Sequence, residues 1–318
     1  MFIDVFNGDA DGLCALVQLR LAEPRDAVLV TGVKRDIELL ERVTVCAADQ
    51  VTVLDISLAK NRLALERILR EGAQVFYVDH HQAGYIPEHP QLKALINTDA
   101  GICTSLLVNE FLNGEYRAWA VIAAFGDNLL ASAKQEAEKL MLTAGEVRKL
   151  QELGVCINYN SYGESVDDLH WAPERLYREL VRYTSPFEFI ADQPLIYQQL
   201  QAGYASDLAA AFKVHADYSS AHAAVYILPD QAWARRVNGV FGNELSNRYP
   251  DRAHAVLYPT ALGGFQVSVR APQSKQSGAD ELCSSFPTGG GRKGAAGINH
   301  LPAEQLSSFV SALIKKYG

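Results

Sequence analysis

Gln74-Val-Phe-Tyr-Val78 is a short apolar stretch of β-branched and aromatic residues, and Asp79-His80-His81 follows it directly. A run of this length, bounded by Gly72 and Gly84, predicts a buried β-strand. The polar triplet then lies at the carboxyl end of the strand, which is the edge where open α/β sheets bind ligands. A carboxylate and two imidazoles there are suitable ligands for a divalent transition metal. Two ordinary loop histidines are the alternative, and the rest of the chain decides between them.

Other apolar runs in the N-terminal half also end in acidic residues. Phe2–Phe6 leads into Asn7-Gly8-Asp9-Ala10-Asp11-Gly12, and Val51–Leu54 leads into Asp55. Helical patterns alternate with these strands, which predicts an α/β fold with a doubly wound, mainly parallel sheet. Because the connections in such sheets are right-handed, the strand ends collect on one edge. We therefore expect the residues at these ends to converge, namely Asp9, Asp11, Asp55, Asp79, His80 and His81.

The converging residues form a suitable set of metal ligands. Carboxylates that alternate along a turning loop, Asp9 and Asp11, can face two neighbouring cations, and Asp55 can bridge them. His80 adds a nitrogen ligand and Asp127 a further oxygen, a mixture that suits Mn²⁺ better than Mg²⁺ or Fe²⁺. Two ions about 3.5–4 Å apart can clamp a phosphoryl group during in-line attack.

Two further interpretations concern single members of this set. Asp79 is placed to orient an imidazole rather than to bind metal. The pair Asp9 and Asp11 has an alternative interpretation, in which Asp11 is the N-cap of the following helix. A helix cap accounts for one Asp-x-Asp pair, but it does not account for three acid-terminated strands and a double histidine.

The second half of the chain predicts a separate, smaller α/β domain. Prolines at 186 and 194 interrupt a long helical region, so we place the boundary there. The predicted organisation is a metal-binding domain over 1–190, a connecting helix over 191–214 and a C-terminal domain over 215–318. Within the last, Ala253–Tyr258 and Phe265–Arg270 are predicted to form a hairpin around Gly263-Gly264.

A glycine-rich stretch, Gly289–Gly297, is predicted to bind substrate. It matches G-x-G-x-x-G, but no buried strand precedes it, and Ala295 and Ala296 stand where a Walker A loop needs Lys and Ser or Thr. Glycines let the backbone approach an anion, and basic side chains add charge. Arg270 can make a bidentate phosphate contact. The predicted substrate-binding residues are Arg270, Gly289, Gly290, Gly291, Arg292 and Lys293, and a flexible surface loop is the alternative.

Composition limits the class of protein. The chain has 318 residues, of which 48% are hydrophobic and 21% charged, and its net charge is −8. Proteins that grip long duplex DNA usually carry a strong basic face, so this balance favours a small substrate. No apolar run approaches the roughly 18–20 residues that span a bilayer, and no leader pattern is visible. The five scattered cysteines have no zinc or disulfide spacing, so we expect a cytoplasmic protein with reduced thiols.

Taken together, the motifs resemble the DHH phosphoesterase superfamily, including its oligoribonuclease (nano-RNase) and RecJ-like members. The motifs of the catalytic domain are, in order, Asn7-Gly-Asp9-Ala-Asp11-Gly12, Val-Leu-Asp55, Val-Asp79-His80-His81 and Ala-Phe-Gly126-Asp127. Val-Ser-Val-Arg270 and Gly289–Gly297 resemble the DHH-associated C-terminal domain. The match spans nearly the whole chain in the family's motif order.

The resemblance implies an active site in the cleft between the two domains, with two Mn²⁺ ions; Mg²⁺ is the alternative metal. By position, Asp9 would hold the first ion, with Asn7 as a weaker neutral ligand. Asp11, His80 and Asp127 would hold the second ion, and Asp55 would bridge. His81 would contact the scissile phosphate or help to protonate the leaving group, and Arg270 and the glycine-rich stretch would bind substrate phosphate and base.

Two positions depart from the family pattern. Asn7 stands where the first motif often has His or an acid, which puts occupancy of the first metal in question. Arg292 stands where the glycine-rich stretch usually has His, so an anion-binding role is kept and a proton-transfer role is lost.

The expected activity is that of a hydrolase, a Mn²⁺-dependent phosphodiesterase that cleaves short oligonucleotides or dinucleotides by a two-metal mechanism. Several alternatives stay open. They are an inorganic pyrophosphatase-like activity, a cyclic-dinucleotide phosphodiesterase, a processive single-strand exonuclease and a catalytically weak nucleotide-binding protein. The expected partner is the short nucleotide substrate, with no long duplex DNA and no membrane. The oligomeric state is open, a homodimer included.

Overall fold

The computed structural model describes residues 1–318 and divides into two compact units, Met1–Ala202 and Gly203–Gly318. The division falls within the helix Pro194–Ala211. No helix is both long enough and apolar enough to cross a membrane.

The first unit contains a parallel five-stranded sheet in the order β2-β1-β3-β4-β5. Its strands are β1 (Phe2–Phe6), β2 (Ala27–Val30), β3 (Gln50–Leu54), β4 (Gln74–Asp79) and β5 (Leu92–Ile96). From β1 the chain moves to one side of the sheet, and from β3 it moves to the other. The reversal between β1 and β3 opens a crevice at their carboxyl ends, which is where ligands bind in sheets of this kind. The predicted α/β fold with a mainly parallel sheet is confirmed.

Nine α-helices belong to or begin in the first unit. They are α1 (Ala10–Ala22), α2 (Leu58–Arg70), α3 (Thr104–Phe111), α4 (Arg117–Gly126), α5 (Leu130–Glu138), α6 (Ala144–Asn160), α7 (Pro173–Leu180), α8 (Pro186–Asp192) and α9 (Pro194–Ala211). Between β2 and β3 the chain forms only a 3₁₀ turn, Leu39–Arg42. Helix α2 covers one face of the sheet through Leu65 and Ile68, which pack with Val53 and Val75 in a common core.

Helix α1 is buried from Ala10 to Arg20, in keeping with its apolar residues on most faces. Helices α4 and α6 cross closely, because a Cβ at Gly154 would overlap the carbonyl oxygen of Ile122. A Cβ at Gly126 would lie 2.5 Å from the Cβ of Ala10, so the end of α4 presses against the start of α1. These glycine contacts bring Asp127, the residue after α4, to the carboxyl edge of the sheet.

The second unit contains a six-stranded mixed sheet in the order β10-β11-β9-β8-β7-β6, in which only β7 and β8 pair in parallel. Its strands are β6 (Tyr218–Ser219), β7 (Ala223–Ile227), β8 (Ala253–Pro259), β9 (Phe265–Arg270), β10 (Gly289–Arg292) and β11 (Ala295–Leu301). Its helices are α10 (Ala232–Arg248), α11 (Ala279–Ser284) and α12 (Leu306–Tyr317). The predicted hairpin of β8 and β9 around Gly263-Gly264 is confirmed.

The glycine-rich stretch has a regular structure, so its interpretation as a flexible loop is wrong. Gly289–Arg292 is strand β10, which pairs antiparallel with β11 from Gly289 opposite Ile298 to Arg292 opposite Ala295. Gly291 has φ 144°, and a Cβ there would lie 2.5 Å from the Cα of Ala296. Only glycine fits at this position, so part of the glycine content serves the close pairing of two strands.

Candidate metal centre

Three strand ends and one helix end meet beside the crevice between β1 and β3. The loop after β1 supplies Asp9 and Asp11, the residue after β3 is Asp55, and β4 ends at Asp79 followed by the two histidines. The end of α4 supplies Asp127. The structure therefore brings together all seven of the acidic and histidine residues predicted from the sequence, Asp9, Asp11, Asp55, Asp79, His80, His81 and Asp127.

His80 has one ring nitrogen free to face the carboxylates. Its Nδ1 lies 2.9 Å from the carbonyl oxygen of Ile102, and because a carbonyl only accepts, Nδ1 carries the hydrogen. Nε2, which presents a lone pair in the neutral imidazole, lies 3.5 Å from Asp55 Oδ1, 3.6 Å from Asp127 Oδ2 and 3.8 Å from Asp11 Oδ2. A hydrogen bond held through the other nitrogen is the usual arrangement of a metal-binding imidazole.

The spacing of these atoms fits a shared ion. The distances from His80 Nε2 to the three carboxylate oxygens are too long for hydrogen bonds. Ligands that each lie about 2.1 Å from one ion stand about 3–4 Å apart. Two groups of three residues have ligand atoms that all lie within 4.8 Å of one another: Asp11, His80 and Asp127, and Asp55, His80 and His81.

Backbone amides hold Asp11 in place. Its Oδ2 accepts from Thr104 N and its Oδ1 from Ser105 N, both at 2.7 Å, at the amino end of α3. The positive end of a helix favours a carboxylate at this position. The alternative interpretation of Asp11 as the N-cap of α1 is wrong, because the cap is Asp9, whose Oδ1 accepts from the amides of Asp11 and Gly12.

Asp55 is strained in two ways. Its φ of 59° lies in the left-handed region, which costs energy for a residue with a side chain. Burial and the neighbouring carboxylates, Asp11 and Asp9 first among them, raise the pKa of Asp55 well above its usual value. A cation bound among these carboxylates would relieve that repulsion. Backbone strain at a chemically active residue is a recurring feature of functional sites.

Asp79 and His81 form a pair at the mouth of the site. His81 Nδ1 lies 2.7 Å from Asp79 Oδ1, while Oδ2 of the buried Asp79 has no partner. Burial lowers the pKa of His81, but the hydrogen bond and the charge of Asp79 outweigh it, so the pKa is raised above its usual value. The His81 side chain is 44% exposed, so a protonated imidazole can reach a ligand in solvent.

Lys34 also belongs to the cluster, and no motif pointed to it. Its ammonium group contacts Asp9 Oδ2, lies 3.4 Å from Asp127 Oδ1 and donates to Asn158 Oδ1 at 3.0 Å. Burial raises the pKa of Asp9, but the charge of Lys34 outweighs it, so the pKa falls to about 2. Lys34 lies just beyond β2, at the same sheet edge as the predicted ligands. The rule about strand ends could have identified it.

Asn7, predicted as a weak neutral metal ligand, uses both ends of its side-chain amide in hydrogen bonds. Its Oδ1 accepts from Asp9 N at 3.2 Å, and its Nδ2 donates to the carbonyl oxygen of Lys34 at 3.2 Å. Both ends of the amide therefore fasten the loop after β1 to the segment after β2.

In the second unit, the predicted substrate-binding residues differ in their environments. The guanidinium of Arg270 donates to Asn243 Oδ1 at 2.7 Å, to Ser268 Oγ at 3.0 Å and to the carbonyl oxygen of Gly239 at 3.3 Å. These bonds occupy the donor face that a phosphate would need. Arg292 and Lys293 lie at the exposed end of the β10–β11 hairpin.

A separate groove lies at the opposite edge of the first sheet. It has a volume of about 450 Å³, and its lining includes Gln50 and Gln74, the first residues of β3 and β4. Arg20 also lines it, but the guanidinium is paired with Asp4 and bonded to Thr52. Because ligands bind at the carboxyl edge of such sheets, the metal-ligand cluster is the stronger candidate site.

No family model matches the chain, and no curated protein matches it by sequence. Solved structures do match. The DHH domain of a member of the s1p family of ribosomal proteins has a TM-score of 0.69 at 14% identity, over 99% of this chain and 86% of that one. RecJ from Thermus thermophilus, solved with Mn²⁺, has a TM-score of 0.63 at 19% identity, over 99% of this chain and 51% of RecJ.

The pGpG-specific phosphodiesterase PggH of Vibrio cholerae has a TM-score of 0.58 at 16% identity, over 99% of this chain and 98% of PggH. The fold and the site define a two-unit α/β protein with a carboxylate–imidazole centre at a sheet edge. More particularly, the chain has the fold of the DHH-domain proteins, and the resemblance predicted from the sequence is confirmed at the level of the fold.

Proposed function

We propose that this protein is a metal-dependent phosphodiesterase that hydrolyses dinucleotides or short oligonucleotides, with Mn²⁺ as its metal. One observation carries the proposal: at the carboxyl edge of a DHH-fold sheet, His80 Nε2 lies within 3.8 Å of carboxylate oxygens of Asp11, Asp55 and Asp127. The names of two structural neighbours support it, since RecJ was solved with Mn²⁺ and PggH acts on pGpG.

The proposed ligands are Asp11, Asp55, His80 and Asp127. A divalent ion bound there would polarise a phosphoryl oxygen as a Lewis acid. Other groups of the chain orient these ligands. The amides of Thr104 and Ser105 fix the direction of the Asp11 carboxylate, and the carbonyl of Ile102 fixes the tautomer of His80.

His81 is the proposed proton donor. Asp79 favours the protonated form of the imidazole and orients it through the bond to Nδ1, which leaves Nε2–H to contact the scissile phosphate or to protonate the leaving oxygen. An exposed imidazole beside buried ligands suits this role because it meets the substrate directly. In the second unit, Arg292 and Lys293 are the proposed contacts for substrate phosphate, while Arg270 would first have to give up its internal bonds.

The test is hydrolysis of linear dinucleotides with Mn²⁺ by the wild-type protein and by Asp55→Ala. We expect the substitution to abolish turnover, and turnover retained in Asp55→Ala would contradict the assignment. A panel with a linear dinucleotide, a longer oligonucleotide, a cyclic dinucleotide and pyrophosphate identifies the substrate class. Preferred turnover of pyrophosphate would replace the diesterase proposal with a pyrophosphatase, and binding of nucleotide without turnover would indicate a regulatory protein.

A further inference from the structure

The inference concerns how many metal ions the centre holds, and it rests on the metal-dependent function proposed above. The ligands divide into two groups. On one side stand Asp9 and Asn7, which the resemblance assigns to the first ion, and on the other stand Asp11 and His80. Asp55 borders both groups, since its carboxyl group interacts with Asp9 and lies 3.5 Å from His80 Nε2. Asp127 faces both groups, with Oδ1 toward Lys34 and Oδ2 toward His80.

The residues on the first side do not fit a metal ion. Asp9 Oδ1 caps helix α1, and Asp9 Oδ2 is paired with the ammonium of Lys34, so the oxygen that could face an ion already faces a cation. The side-chain oxygen of Asn7 accepts a hydrogen bond from the backbone N–H of Asp9. An ion at this point would need both side chains to release bonds that hold the loop.

The ammonium group of Lys34 places a positive charge beside Asp9 and Asp127. An ammonium group has three N–H donors, and Lys34 has three acceptors around it, on Asp9, Asp127 and Asn158. The backbone of the same residue is fixed, since its N–H donates to the carbonyl of Ser161 at 2.9 Å. Nζ also lies over the Tyr162 ring, 5.7 Å from its centroid. The ammonium is therefore positioned by three acceptors and by the fixed backbone of the same residue.

The residues on the second side do fit a metal ion. His80 Nε2 is the ring nitrogen that is not bonded to a carbonyl, and oxygens of Asp11, Asp55 and Asp127 lie 3.5–3.8 Å from it, which is a spacing found between ligands of one ion. We infer that the site holds a single divalent ion, and that the ammonium of Lys34 replaces the first of the two ions implied by the family resemblance. Lys34 then supplies the second positive charge that faces the phosphoryl oxygens.

The experiment counts bound Mn²⁺ without substrate. Wild-type protein, Lys34→Met and Lys34→Arg are equilibrated by dialysis against a Mn²⁺ series, and bound metal is measured by mass spectrometry. We expect one equivalent in the wild type and in Lys34→Arg. In Lys34→Met we expect a second, weaker equivalent, because Asp9 and Asp127 are released. Electron paramagnetic resonance adds an independent readout, since an isolated Mn²⁺ keeps its resolved hyperfine lines and a coupled pair broadens them.

Lys149→Met is the matched control, because Lys149 is an exposed lysine of the same unit. It should leave the metal count at one. Two equivalents of bound Mn²⁺ in the wild type, or none, would overturn the inference. This result does not depend on the variants, so the inference can still be contradicted if Lys34→Met misfolds. A single equivalent without hydrolysis of any phosphodiester would leave the inference standing and defeat the proposed function, so the two failures can be told apart.

Discussion

At the scale of single residues, Asp55 shows the conflict between stability and chemistry most clearly. It is buried, it adopts a left-handed φ, and neighbouring carboxylates raise its pKa. Each of these features costs folding free energy, and none improves packing. Such costs persist where a side chain serves a function, because selection for stability alone would remove them.

Asp55→Asn is therefore expected to stabilise the metal-free protein while it abolishes hydrolysis. The amide keeps the size of the side chain and an oxygen that accepts from Thr104 Oγ1, and it removes one charge from the cluster. Calorimetry in a chelator should show a rise in Tm of about 2–4 °C, which corresponds to about 1 kcal/mol for a unit of this size. Asp167→Asn, at an exposed aspartate, is the control and should leave Tm unchanged. A lower Tm in Asp55→Asn would show that the carboxylate stabilises the fold.

At the scale of elements, the crossing of α4 and α6 sets the position of two site residues. Asp127 follows α4 and Asn158 lies in α6, and the helices approach through Gly126 and Gly154. Gly154→Ala would force a methyl group into the carbonyl oxygen of Ile122, so the helices must separate. Overpacking of this kind costs about 1–3 kcal/mol.

The expected result for Gly154→Ala is a lower urea midpoint together with weaker binding of Mn²⁺, because Asp127 moves with α4. Gly145→Ala is the matched control in the same helix, since a Cβ there meets only Thr143 Oγ1 at 3.9 Å. It should be neutral or slightly stabilising, because alanine favours a helix. Equal midpoints for the two variants would mean that the helix crossing adapts freely.

The same elements show what the sequence could and could not predict. Strands that end in acid are a local pattern, and the parallel topology brings their ends together, so Asp9, Asp55 and His80 could be predicted. Lys34 follows β2 at the same sheet edge, so the same rule could have identified it, whereas Asn158 reaches the site from a long helix without any motif and its contact depends on tertiary packing. The β10–β11 hairpin could not be predicted because glycines carry no alternation of apolar and polar side chains, which is the usual sign of a strand.

At the scale of the whole molecule, acid should act on the two units in opposite directions when no metal is bound. In the first unit the pKa values of Asp55 and His81 are raised, so the folded state binds protons more tightly and acidification stabilises it. The pKa of Asp9 is lowered to about 2, so the stability that its carboxylate contributes is lost only as the pH falls below its ordinary pKa of 3.8. In the second unit, burial and then the charge of Arg252 lower the pKa of His254 to about 4.

Because the unfolded chain protonates His254 near pH 6.5 and the folded chain only near pH 4, stability of the second unit is lost as the pH falls through this window. At pH 5 the loss relative to pH 7.5 should be about 2 kcal/mol. His254→Gln is the control, since an amide can still accept from Arg252 Nε but does not titrate. Pulsed hydrogen exchange across a urea series, read separately for peptides of residues 1–202 and 203–318, measures the two midpoints in a chelator. The second midpoint should fall at pH 5 in the wild type and stay level in His254→Gln, while the first rises in both; a fall of equal size in His254→Gln would exclude His254 as the cause.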